Sequence, residues 1–88
     1  MRNLIIYAPY HEIKEIKKII DKYKNEFKIR NVIIKFKDSN KFFAELYGYD
    51  GELKKKIRKI SEIPKILIAI DNMLMGSIEK KFRKIEKK

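Results

Sequence analysis

At 88 residues the chain is one domain's worth of polypeptide, near the low end of sizes that fold unaided. Its 44% hydrophobic and 40% charged residues describe a globular chain, not a disordered one, and 23 Lys and Arg against 12 Asp and Glu leave a formal net charge of +11. The lack of cysteine excludes disulfides, thiolate metal sites and thiol nucleophiles together, and the longest apolar run, Ile66–Ile70, is far too short to span a bilayer.

A positive excess of this size attracts phosphate and speeds encounter with nucleic acid. A chain rich in Lys, Glu and Ile and lacking Cys, Trp, Gln and Thr also fits a heat-adapted thermophile, although such chains usually lie nearer charge balance. Met1–Tyr7 lead straight into a strand pattern with no cleavage site, so a cytoplasmic location is expected.

In chain order, Leu4–Ala8 reads as a first strand, stopped by Pro9. A helix is predicted from about His11 to Phe27, with Ile13, Ile16, Ile19, Ile20, Tyr23 and Phe27 as its apolar stripe. Val32, Ile34 and Phe36 alternate with Ile33, Lys35 and Lys37 in a second strand. The polar turn Asp38-Ser39-Asn40 then leads into a third strand, Lys41–Tyr49, and the two are expected to pair as a hairpin. Asp50 is placed to cap a second helix, Gly51 to about Ile63, with Leu53, Ile57 and Ile60 buried and Lys54, Lys55, Lys56, Arg58 and Lys59 on its surface. Beyond Pro64 two readings stay open. In one, Ile66–Ile70 is a fourth strand followed by a helix from Leu74; in the other, a single helix runs from Pro64 to the basic end of the chain.

The expected architecture is a single α+β domain over residues 1–88. It is a two-layer sandwich with a strand-helix-strand-strand-helix core on an antiparallel sheet and a basic C-terminal helix at about 74–88. The helices need Leu4, Ile6, Val32, Ile34, Phe36, Phe42, Ala44 and Leu46 as their floor. The opposite face then carries Ile5, Tyr7, Ile33, Lys35, Lys37, Phe43, Tyr47 and Tyr49.

Rings among lysines on an open sheet can stack on unpaired bases while the ammonium groups neutralise the phosphates between them. The candidate RNA contacts are therefore Tyr7, Lys35, Lys37, Phe43, Tyr47 and Tyr49, with Lys54, Lys55 and Arg58 as phosphate contacts from the basic helix. Two other occupants of that face remain open: the last helix of the same chain, and a second copy or another protein. With the tail read as strand plus helix, the order is that of the ferredoxin-like RNA-recognition fold. Lys41, Phe43, Ala44 and Leu46 match that fold's third-strand signature, whereas Phe42, Glu45 and Gly48 do not.

Nothing in the inventory suggests catalysis. His11 is the only histidine, the serines lack an adjacent base, the acids are unpaired and no glycine-rich loop is present. No enzyme activity, metal or cofactor is expected.

Two stretches resemble the small dimerising subunit of the KEOPS complex, which installs threonylcarbamoyl on tRNA adenosine. Ile6-Tyr7-Ala8-Pro9-Tyr10-His11-Glu12-Ile13 is similar to the end of that family's first strand, and Leu67–Ile78 to the pattern of its last helix. Ile68 stands where the family usually has Arg, and the residues between the third strand and the last helix are additional. The resemblance implies a dimeric, non-catalytic scaffold for tRNA modification, docking a protein partner through Leu67, Asn72, Met75 and Ile78. A free-standing single-stranded RNA binder and a small dimeric protein-interaction module are the alternatives.

Overall fold

The computed structural model describes residues 1–73. They form β1 (Arg2–Ala8), α1 (Tyr10–Asp21), α2 (Lys24–Ile29), β2 (Val32–Asp38), β3 (Phe43–Tyr47), β4 (Leu53–Ile57), a 3-10 turn (Ile60–Glu62) and α3 (Ile63–Asp71). This is an α+β fold on a four-stranded sheet of order β2-β1-β3-β4.

β1 is the keystone strand. Its sequence, Asn3-Leu4-Ile5-Ile6-Tyr7-Ala8, is almost continuously apolar, which suits a strand with neighbours on both edges. It pairs parallel with β2, Leu4 opposite Ile34 and Ile6 opposite Phe36, and antiparallel with β3, Leu4 opposite Leu46 and Ile6 opposite Ala44. The expected all-antiparallel sheet is therefore a mixed one, and the expected hairpin between the second and third strands is not formed, because β1 lies between them. A parallel pair needs a crossover long enough to return the chain to the same end of the sheet, and α1–α2 supply it.

The helical segment predicted as one piece is two. α1 ends where Lys22 and Tyr23 donate their N–H groups three residues back, to the carbonyls of Ile19 and Ile20, and α2 starts at Lys24. Asn31 follows α2 with φ of 57°, the left-handed conformation that asparagine tolerates better than most residues. Its carbonyl accepts the Arg2 N–H at 3.0 Å, which starts the β1–β2 ladder.

The largest correction concerns residues 51–63. The predicted basic helix is instead the edge strand β4 and the turn that leads into α3. Asp50 does accept a backbone N–H, from Glu52 at 3.0 Å, but the bond closes a turn and starts no helix. β4 pairs with β3, Ile57 opposite Ala44 and Lys56 opposite Glu45, with a bulge where Tyr47 meets Leu53. A lysine-rich edge discourages pairing with further strands. Residues 66–70, for which the sequence allows strand or helix, are helical. Pro64 sits in the first turn of α3, where its missing N–H costs no hydrogen bond. The expected basic helix at 74–88 lies outside the described residues.

The core is a single cluster. Leu4, Ile6, Ala8, Val32, Ala44, Leu46 and Ile57 from one sheet face meet Ile16 and Ile20 of α1, Phe27 of α2, and Ile63, Ile66 and Ile70 of α3. Each fully buried Leu, Ile or Phe side chain contributes about 2 kcal/mol of transfer free energy. The floor expected under the first helix is the face on which α1 and α2 pack, and α3, whose side the sequence leaves open, packs on it too.

At the β3–β4 connection, Gly51 has φ of +80° with open space where a Cβ would stand. Its N–H donates to the Gly48 carbonyl at 3.0 Å. Gly51→Ala is expected to lower stability by about 1 kcal/mol through backbone conformation alone, read as a fall in the urea midpoint at constant slope. A variant as stable as the parent would show that the turn does not hold this conformation in solution.

Candidate nucleic-acid interface

On the sheet face away from the helices, the strand registers set the side chains in rows. Lys37 of β2, Tyr7 of β1 and Phe43 of β3 form one row. Lys35, Ile5, Glu45 and Lys56 form the next, and Ile33, Asn3, Tyr47 and Leu53 the third. Alternation along β1, β2 and β3 dictates this placement, so Tyr7, Lys35, Lys37, Phe43 and Tyr47 share one face as predicted.

Tyr7 and Phe43 are directly opposite each other, and their rings stack with centroids 4.3 Å apart and planes 12° from parallel. The Lys56 ammonium lies 4.8 Å from the centre of the Phe43 ring and 4.0 Å from Glu45 Oε2. Lys35 and Lys37 are exposed beside Ile5 and Tyr7. The face therefore offers a pair of aligned rings with cations on both flanks. Glu45, which departs from the RNA-recognition signature, is only 16% exposed and is taken up by Lys56 and by the Tyr47 hydroxyl.

That hydroxyl donates to Glu45 Oε1 at 3.1 Å. Burial among its neighbours raises the Tyr47 phenol above its ordinary value near 10, and the bond to the Glu45 carboxylate raises it further. Both causes favour the neutral phenol in the folded chain. The associated stability is full below the unfolded tyrosine value and is lost as pH rises through the higher folded value. Glu45→Gln is expected to move the Tyr47 midpoint down toward 10 in an ultraviolet phenolate titration. An unmoved midpoint would rule out the carboxylate as a cause.

Four of the predicted contacts are placed differently. Tyr49 does not join the other rings. β3 ends at Tyr47 and the chain turns through Gly48, so strand alternation no longer governs position 49. Its ring lies against the guanidinium of Arg2, 4.4 Å away, and its hydroxyl accepts from Arg2 Nη1 at 3.1 Å and Asn31 Nδ2 at 3.3 Å. Arg2 belongs to the helix-side row of β1 and is 1% exposed. Lys54, Lys55 and Arg58 do not share a helix surface, since that segment is strand and turn. Lys54 is held by Asp50 at 2.9 Å and Glu52 at 3.6 Å, Lys55 stands opposite Leu46 on the helix-side row, and Arg58 lies just past the end of β4. Lys56 joins the ring face although sequence reasoning does not put it there, because pairing with Glu45 brings it onto that side.

Of the predicted docking residues, Leu67 is half-buried against the core and Asn72 is exposed at the end of α3, while Met75 and Ile78 lie outside the described residues. Among the described residues no helix is long and apolar enough to cross a membrane. No cluster of three or more His, Cys, Asp or Glu among them could hold a metal ion.

No family model, curated protein or solved structure matches the chain.

Proposed function

We propose that the chain is a non-catalytic, RNA-associated protein whose open sheet face holds unpaired bases. The observation that carries this reading is the Tyr7–Phe43 stack between Lys37 and Lys56, on a face to which no described helix contributes a core residue. Rings in that setting supply base stacking that tolerates any sequence, and lysines at strand spacing supply phosphate contacts. The resemblance to the KEOPS subunit narrows the partner to tRNA and the role to a scaffold within a modifying assembly. In that role the net charge of +11 helps to seat the RNA.

The test is fluorescence anisotropy with one labelled oligoribonucleotide, presented single-stranded and as a duplex, over a range of salt. The single strand is expected to bind more tightly at every salt concentration, because only unpaired bases can reach the rings. Equal affinity for duplex and strand would sink the stacking role and leave only diffuse charge attraction.

The subunit reading draws on the other end of the same face. There Ile33 and Leu53, at opposite edges of the sheet with Asn3 and Tyr47 between them, are 40% and 49% exposed, apolar surface of the kind a protein neighbour covers. Sedimentation of the free chain distinguishes a homodimer from a monomer that needs a different protein.

A further inference from the structure

At the Phe43 end of the sheet, β1 finishes, β3 begins and β4 runs out, and between them lies a cleft of about 520 Å3. Its lining includes Lys41, Lys56, Arg58, Asn40, Phe43 and Glu12. The volume falls within the range of about 300–1,000 Å3 typical of small-ligand sites.

Some of the chain's cations are taken up by carboxylates. Lys54 is paired with Asp50 and Glu52, Lys65 with Glu62, and Arg30 with Asp71 and Glu26. Lys41 and Arg58 make no ion pair with any described residue, and Lys56 reaches Glu45 only at 4.0 Å. The cleft therefore gathers three cations, Lys41, Lys56 and Arg58, against one carboxylate in its lining, Glu12. It also opens onto the Tyr7–Phe43 stack, because Phe43 and Lys56 belong to both.

We infer that this cleft holds a terminal phosphate monoester of a single-stranded RNA, an inference that rests on the RNA reading of the adjoining face. Two features favour a chain end over an internal phosphate. An internal phosphodiester carries one negative charge, whereas a terminal monoester carries about 1.5 to 2 near neutral pH and offers three oxygens to Lys41, Lys56 and Arg58. Pro9 and Glu12 also line the cleft, and the negative charge of Glu12 disfavours a second phosphate there. A strand whose last base lies by the rings thus places its end group among the cations and stops there.

The experiment uses three internally labelled oligoribonucleotides of one sequence: 5′-phosphorylated, 3′-phosphorylated, and hydroxyl at both ends. One phosphorylated form is expected to bind about tenfold more tightly than the hydroxyl form, and which one identifies the end. The advantage should shrink as pH falls through about 6, where the monoester loses its second charge. The double variant Lys41→Gln/Arg58→Gln changes exposed side chains only and should abolish the advantage while still binding the hydroxyl-ended strand. Equal binding of all three strands overturns the terminal-phosphate site and leaves the RNA reading of the sheet face standing. Failure of every strand to bind overturns both.

Discussion

Asp71→Ala is expected to cost about 3 kcal/mol of folding stability, more than any surface substitution in this chain. The Asp71 carboxylate receives Arg30 Nε at 3.1 Å and Nη2 at 3.0 Å, a two-bond grip, and the two side chains are 15% and 11% exposed. Arg30 also donates to Glu26 Oε2 at 2.7 Å, but Glu26 is half in solvent and cannot replace the inner partner. The location adds to the effect. Asp71 is the last residue of α3, where the helix dipole disfavours negative charge, and the guanidinium offsets that. Removal of the Asp71 carboxylate leaves a largely buried cation bonded, through Nη1, only to the carboxylate and the backbone carbonyl of Glu26. Burial lowers the Arg30 pKa, but in the parent the bonds and charges of Asp71 and Glu26 outweigh it and leave a net rise; a guanidinium keeps its proton in any case, so the group left behind stays charged. The comparison variant is Lys54→Ala, which breaks an exposed pair with Asp50 and should change stability little. Urea unfolding of both decides the matter. An Asp71→Ala midpoint no lower than that of Lys54→Ala would mean that the clamp between α2 and α3 is not formed in solution.

The second large effect concerns binding. Tyr7→Leu/Phe43→Leu keeps apolar bulk on β1 and β3 but removes both ring faces. If bases stack on this pair, the variant loses about 1–3 kcal/mol per stacked base, roughly tenfold to more than a hundredfold in affinity. The dependence on salt should not change, because no cation is altered. Lys35→Gln/Lys37→Gln should do the reverse, with the slope of log K against log salt falling by about 0.7 for each phosphate that is no longer neutralised. Anisotropy titrations at several salt concentrations separate the two behaviours, and unfolding curves confirm that both variants fold. Parental affinity in the ring variant would end the proposal that this face stacks bases.

Much of this surface is legible in the sequence, for a simple reason. Alternation along Leu4–Ala8, Val32–Asp38 and Phe43–Tyr47 fixes which side chains share a face, whatever the order of the strands. Pairing is different. Asp38-Ser39-Asn40 has the composition of a tight turn, and nothing local says that another strand must fit between its flanks. The available signal is β1 itself, apolar on both faces, which marks an interior strand more strongly than Asp38-Ser39-Asn40 marks a hairpin.

Residues 51–63 mislead through ambiguity of period. Leu53, Ile57 and Ile60 follow one another at helical spacing, yet Leu53 and Ile57 are also an even number apart, as residues on one side of a strand are. The bulge at Tyr47 then leaves Leu53 exposed and only Ile57 in the core. With the segment read as helix, Lys56 cannot be seen opposite Glu45, and the meeting of Lys41, Lys56 and Arg58 at one end of the sheet is hidden. Tyr49 fails for a related reason: alternation ends where β3 ends, and Gly48 follows at once.

The parallel register between β1 and β2 also governs the order in which the molecule can assemble. β1 leaves the ribosome before either of the segments that flank it, and until Tyr47 has emerged it has no complete set of backbone partners on both edges. A nascent chain halted within the α1–α2 crossover would therefore display a sticky, water-averse ribbon. Synthesis through that interval is the stage at which β1 is least covered by its own chain.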